Sequence, residues 1–379
     1  MNPQVLCGIN NLHLSHTLKG ARLGLITNPT GVDSRLRPTI DILSEGYHLA
    51  CLMSPEHGVR GDAQAGEKVD RYTDEETGLP VYSLYDQSHR IPSEAMDAID
   101  VVVFDIQDVG ARYYTYLYTL AYAMEDCARA GKTLTVLDRP NPISCKPRGA
   151  VLQPGFASFV GRFPIAAGYG MTIGEYARYI NGCYGIGCRL EVVPMTDWNP
   201  AFYYEQTGLL WVAPSPNLPT VDSCLCYIGT CLFEGTNISE GRGTTKPFEI
   251  IGAPWLNAQK VMHEMERHRP RGLLLREAYF RPAFSKHAGL LCQGLQLYIT
   301  SREDFEPFEA GVLLLDAIRH THREFEFLPP SKEGDPPFID LLLGSDAIRQ
   351  SGFCPQKFFC RQRAELEEYN RSIESFRLY

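Results

Sequence analysis

The sequence predicts an α/β protein: a doubly wound N-terminal domain, then a second, α+β domain. Short, β-rich runs that are apolar on both faces recur through the first half, and helical patterns separate them. After about residue 155 the alternation gives way to longer loops richer in Pro and Tyr. A chain of 379 residues with 44% hydrophobic content can bury a sizeable core, and its length favours two domains, expected at 1–155 and 156–379.

Arg22–Thr27, Leu49–Met53, Val101–Ile106 and Thr133–Leu137 have the continuous apolar character of parallel strands covered by helices. Between them, Arg37–Gly46 is a helical segment. Tyr116–Ala130 sets Leu117, Leu120, Met124 and Cys127 on one face before Gly131, a glycine stop. The turn after the first strand, Thr27-Asn28-Pro29-Thr30-Gly31, lacks the glycine fingerprint of a dinucleotide site, which argues against a nicotinamide or flavin role. Farther along, Thr172-Ile-Gly-Glu175 is a capping box opening a helix through Ile180, so Glu175 is structural in this reading. Strands are expected at Leu190–Val193 and Gln293–Thr300, and helices at Ala258–His268, Ala310–His320 and Gln356–Ser375.

A net charge of −9 argues against nucleic-acid or anionic-membrane binding, so an anionic ligand must be held by a few local Arg residues. The first twenty residues lack the apolar core of a secretory signal, and no later run approaches membrane-spanning length. A cytoplasmic protein is therefore expected, the alternative being a secreted chain with its leader removed. The twelve Cys lie mostly inside apolar runs, as reduced core thiols do. No Cys-x-x-Cys pair occurs, and Cys224-Leu-Cys226 has no matching second pair, so neither a metal nor another cofactor is expected.

The most informative stretch is Leu49–Gly58, where an apolar strand empties into Ser54-Pro-Glu-His-Gly58. A carboxylate and an imidazole thus stand at a strand's carboxyl end, where open α/β sheets bind ligands, which makes Glu56, with His57 beside it, the first candidate for a catalytic acid. Asp105–Tyr116 follows the third strand and carries Asp105, Gln107, Asp108, Arg112 and Tyr113 to the same edge. Asp138-Arg-Pro-Asn-Pro142 follows the fourth, with Asp138 and Arg139 reading as a local ion pair. Ser215–Pro219, with Asn217, and Phe233–Thr245, with Glu234, Asn237, Glu240 and Arg242, form polar stretches able to close over the crevice. Each cluster also has an ordinary reading: Glu56 or the aspartates as caps, Glu234 and Glu240 as partners of glycine-loop amides, the tyrosines as core. Carboxylates, amides, Arg and Tyr without metal spacing or a Gly-x-Ser-x-Gly elbow suggest carbohydrate chemistry. Glycoside cleavage needs a carboxylic acid of raised pKa and a means of stabilising an oxocarbenium ion.

Ser54-Pro-Glu-His-Gly58, Ala65-Gly-Glu-Lys68, Asp105–Tyr116, Asp138–Pro142, Gly170-Met-Thr-Ile-Gly-Glu175, Leu232–Thr245 and Gly252-Ala-Pro-Trp255 together resemble the NamZ family of exo-β-N-acetylmuramidases, formerly a domain of unknown function. The resemblance runs from Gly20 to Tyr379. It implies a Rossmann-like domain and a smaller second domain with the site between them. It also implies removal of N-acetylmuramic acid from non-reducing ends of peptidoglycan fragments, with Glu56 catalytic. Many members are exported, whereas no signal is evident here.

That substrate gives the polar clusters a purpose. Its lactyl carboxylate suits a planar Arg fork, for which Arg60, Arg112 and Arg242 are candidates. Its acetamido group needs amide or hydroxyl partners, available at Gln107, Tyr113, Asn217 and Asn237. Asp105, Asp108, Glu234 or Glu240 could be the second carboxylate, or the acetamido group could assist directly. The expected partners are muropeptides or disaccharides containing N-acetylmuramic acid, with no nucleic acid and no membrane. A cell-wall esterase or amidase using His57 as base lacks a nucleophile elbow. A non-catalytic muropeptide-binding protein would use the same Arg, Asn and Tyr residues without needing Glu56.

Overall fold

The computed structural model describes residues 4–55, 58–60, 71–84 and 89–379. Its larger sheet is built from β1 (Arg22–Thr27), β2 (His48–Ser54), β3 (Tyr72–Thr73), β4 (Pro80–Ser83), β5 (Val101–Asp105), β6 (Thr133–Leu137) and β9 (Arg189–Val193). They lie in the order β3-β4-β2-β1-β5-β6-β9, and every neighbouring pair is parallel except β3 with β4. The four strands expected from apolar runs are there, with β6 at the expected limits. All five residues of β5 are buried, as a strand covered on both faces requires.

From β1 the chain fills one side of the sheet through β2 and β4, then crosses to the other through β5, β6 and β9. The direction of winding therefore reverses between β1 and β5, and crevices form at such switch points. The strand ends there are in register, Thr27 opposite Asp105. Gly31, in the turn after β1, is where no larger residue fits, because a Cβ would stand 2.1 Å from the Thr27 hydroxyl. β9, from the stretch after residue 155, completes the sheet and packs under α4 (Ile173–Cys183).

Helices α1 (Thr39–Gly46), α2 (Ser93–Ala98) and α3 (Tyr116–Ala130) cover the sheet. α3 ends at Gly131 with φ 64°, the left-handed stop expected there. α4 opens on the reciprocal Thr172–Glu175 capping box.

A second, antiparallel sheet has the order β10-β12-β11: β10 (Ile250–Ala253), β11 (Leu273–Phe280) and β12 (Cys292–Ile299). A third pair joins β7 (Arg148–Val151) to β8 (Ala166–Gly168). α5 (Val221–Thr230), α6 (Ala258–Met265), α7 (Pro307–Thr321), α8 (Phe338–Leu343) and α9 (Pro355–Ile373) complete the chain. One hydrophobic core crosses both halves, including Phe104, Leu117, Leu225, Leu295 and Leu314. Each such side chain contributes roughly 1.5–3 kcal/mol relative to exposure. No disulfide joins the twelve cysteines. Among the described residues no helix is long and apolar enough to cross a membrane.

Candidate active site

At the switch point, the loop after β5 runs into α3 and turns its tyrosines toward the second half of the chain. Tyr114 and Tyr116 both donate to the Pro214 carbonyl, at 3.0 and 3.2 Å, and the Asn28 amide donates to the Tyr116 hydroxyl at 3.0 Å. Tyr113 donates to the Ile228 carbonyl in α5 at 3.1 Å. These bonds tie the β1 and β5 loops to α5 and to the segment before it. Between them lies a pocket of about 150 Å³ lined by Tyr113–Tyr116, Ser215, Asn217, Tyr227, Glu234, Arg242 and Phe338, among others.

The pocket's charge comes from the turn that follows α5. A 3₁₀ segment, Cys231–Gly235, carries Glu234, and the glycine-rich stretch after it returns Arg242 eight residues later. Arg242 donates to one Glu234 oxygen through Nη2 at 2.6 Å and through Nε at 3.2 Å, and its guanidinium lies 5.0 Å from the centre of the Phe248 ring. Burial pushes the Glu234 carboxyl above its usual range; Arg242 opposes that shift and the nearby Glu240 adds to it. Glu240 is buried behind this pair, 3.4 Å from Arg242 and 2.8 Å from the Lys286 ammonium. Gly243, with φ 79°, allows the close approach of the loop carrying Lys286: a Cβ there would stand 2.6 Å from the Phe284 carbonyl oxygen.

The other residues singled out by sequence are committed to holding the edge together. Arg139 does not pair with its neighbour Asp138. It reaches the fully buried Asp105 through Nε and Nη2 at 2.5 and 2.8 Å, and the Thr39 hydroxyl donates to the same carboxylate. Asp138 instead accepts from the Thr172 and Tyr379 hydroxyls and the Gly174 amide. Gln107 donates to the Asp108 and Pro140 carbonyls, both at 2.7 Å. Asp108 accepts from the Tyr169 hydroxyl and the Gly110 amide on one oxygen. Burial pushes its carboxyl up to about 7.

The three candidate arginines part company here. Arg112 is fully buried and donates to the Ala150, Ile165 and Leu342 carbonyls, while Arg60 is paired with Asp74 and Glu76. Of the three, only Arg242 lines the pocket. Asn237 clamps the chain at Glu324 and Glu326, whereas Asn217 and Tyr113 do line the pocket. β2 delivers Ser54 to this same edge of the sheet; Glu56 and His57 lie outside the described residues.

Two adjoining family models match the chain: the N-terminal part of exo-β-N-acetylmuramidase NamZ over residues 23–222 and its C-terminal part over residues 225–379. The chain belongs to the exo-β-N-acetylmuramidase NamZ family. Peptidoglycan β-N-acetylmuramidase NamZ of Bacillus subtilis (strain 168) is 44% identical over 386 residues, covering 100% of this chain and 92% of that protein. Two solved structures of DUF1343 family proteins from Bacteroides fragilis share the fold. One has TM-score 0.88 and 34% identity over 99% of each chain; the other has TM-score 0.81 and 29% identity over 100% of this chain and 99% of its own.

In this NamZ-family chain the site draws on residues that local sequence did not single out. Tyr227 stands in α5 and Phe338 begins α8, each in an apolar context that signals only core. Lys286 sits in Phe284-Ser-Lys286-His287, where nothing marks it out; its partners are Phe233, Thr236, Ile238 and Glu240.

Proposed function

We propose that this chain is an exo-acting glycoside hydrolase that releases N-acetylmuramic acid from the non-reducing ends of peptidoglycan-derived muropeptides or disaccharides, and that it holds the sugar in the pocket between Tyr113–Tyr116 and Glu234–Arg242. Family membership carries the reaction class. The observation that carries the site is Arg242, a guanidinium that lines the pocket and binds Glu234 through Nε and Nη2 only. With five N–H donors on a planar fork, it has an edge to offer a second carboxylate, which in N-acetylmuramic acid is the lactyl group. Ser215 and Asn217 supply polar partners for the acetamido group.

Two carboxyl groups divide the chemistry. Glu56, two positions beyond the last residue of β2, is the general acid in this reading, and Glu234 is the carboxylate facing the developing oxocarbenium charge. Asp105, Asp108 and Glu240 are turned to other partners and serve the frame.

The test is to incubate the purified protein with a chromogenic N-acetyl-β-muramide and with the matching glucosaminide. Release from the muramide and little from the glucosaminide is expected. Equal release from both, or release from neither, contradicts the reading.

A further inference from the structure

Lys286 stands at an unusual junction. Its ammonium donates to three main-chain carbonyls, those of Phe233, Thr236 and Ile238, at 2.7, 3.0 and 2.7 Å. Those three donors are all that an ammonium has. The Glu240 carboxylate, 2.8 Å away, is a fourth partner of that ammonium, so much of its hold on Lys286 is charge. Glu240 in turn stands 3.4 Å from Arg242, the same guanidinium that binds Glu234 at 2.6 Å. Two carboxylates thus compete for one arginine, and Lys286 stands beside the one that lies behind the pocket.

We propose that Lys286 is a positioning residue for the pocket: by holding the charge of Glu240 it leaves Arg242 bound to Glu234 and facing the sugar. The proposal rests on the pocket assignment made above. Without the ammonium, Glu240 is a buried carboxylate lacking its nearest cation, and the cheapest remedy is to draw Arg242 back onto itself. Arg242 then leaves the pocket and Glu234 loses its counter-ion. The carbonyl cage has a second consequence: Lys286 fixes the turn that carries Glu234, because two of its acceptors, Phe233 and Thr236, flank that residue.

The two roles separate in a double-mutant cycle. Lys286→Met should weaken binding of free N-acetylmuramic acid, read by calorimetry, and raise KM for the muramide by about tenfold, the scale of a direct interaction between neighbouring groups. Adding Glu240→Gln to that variant removes the competing charge without restoring the cage, so affinity and KM should return toward wild type. Lys286→Arg, which keeps the charge, should stay close to wild type in KM. A Lys286→Met, Glu240→Gln variant no better than Lys286→Met alone overturns the proposal and leaves Lys286 as a structural clamp. So does loss of turnover in Glu240→Gln by itself, which would put Glu240 in the reaction. Calorimetry keeps the two readings apart: a wild-type protein that binds the sugar without hydrolysing it counts against the proposed reaction but still reports on Lys286. Wild-type protein that fails to bind the sugar at all overturns both.

Discussion

Arg139 and Asp105 form a two-bonded fork across neighbouring strands, with the carboxylate fully buried and the guanidinium nearly so. Arg139 follows β6 by two residues and Asp105 ends β5, so the pair locks together the loops that leave those two strands. Removing the cation alone leaves a charge with no route to water. Arg139→Met should cost about 3–5 kcal/mol in urea unfolding, and adding Asp105→Leu should recover much of that loss. Equal stability of the single and double variants would show that the buried charge is not what makes the single change costly.

Asp108 should make stability depend on pH in the direction opposite to a salt-bridged carboxylate. Burial raises its folded pKa from 3.8 to about 7, so the folded state holds the proton more tightly than the unfolded chain. Its contribution is then full below about pH 4 and is lost as pH rises toward 7. Asp108→Asn cannot ionise and escapes that loss. The variant's stability relative to wild type should therefore rise between about pH 4 and about pH 7. A difference that stays constant across that range would mean that Asp108 is not the group responsible.

How much of this was legible in the sequence depended on how far apart the partners lie. β1, β2, β5 and β6 are continuous apolar runs, and the Gly131 stop and the Thr172–Glu175 capping box are local signals, so all could be read directly. β11 exposes Leu274 and Tyr279 to solvent, which blurs its alternation. α5 is buried at nearly every position, so it shows no polar face to betray a helix. The arginines show the limit for the site. Arg112 and Arg242 are equally basic in sequence, but the acceptors of Arg112 lie 38, 53 and 230 residues away, whereas Arg242 meets Glu234 within eight. Asp138 and Arg139 are adjacent in sequence, yet the Asp138 carboxylate takes from its neighbour only the backbone amide, while the Arg139 guanidinium binds Asp105.

Glu56 carries the acid step in the proposed reaction. Glu56→Gln keeps the shape and removes the transferable proton, and general acid catalysis is typically worth about 100- to 10,000-fold. A loss of turnover of that order is expected on a natural disaccharide, with binding largely retained and a smaller loss on a substrate whose leaving group needs no protonation. Near-wild-type turnover would remove Glu56 from the reaction and shift the acid role to Glu234.

The most direct test of the pocket is the ratio of kcat/KM for the muramide to that for the glucosaminide, which differ only in the lactyl group, measured in wild type, Arg242→Ala and Arg60→Ala. With the lactyl carboxylate on the Arg242 fork, Arg242→Ala should lower the ratio by about ten- to a hundredfold, the value of a hydrogen bond to a charged group. Arg60→Ala, whose guanidinium is already bound to Asp74 and Glu76, should leave it unchanged. An Arg242→Ala protein with the wild-type ratio would contradict the assignment of this pocket to N-acetylmuramic acid.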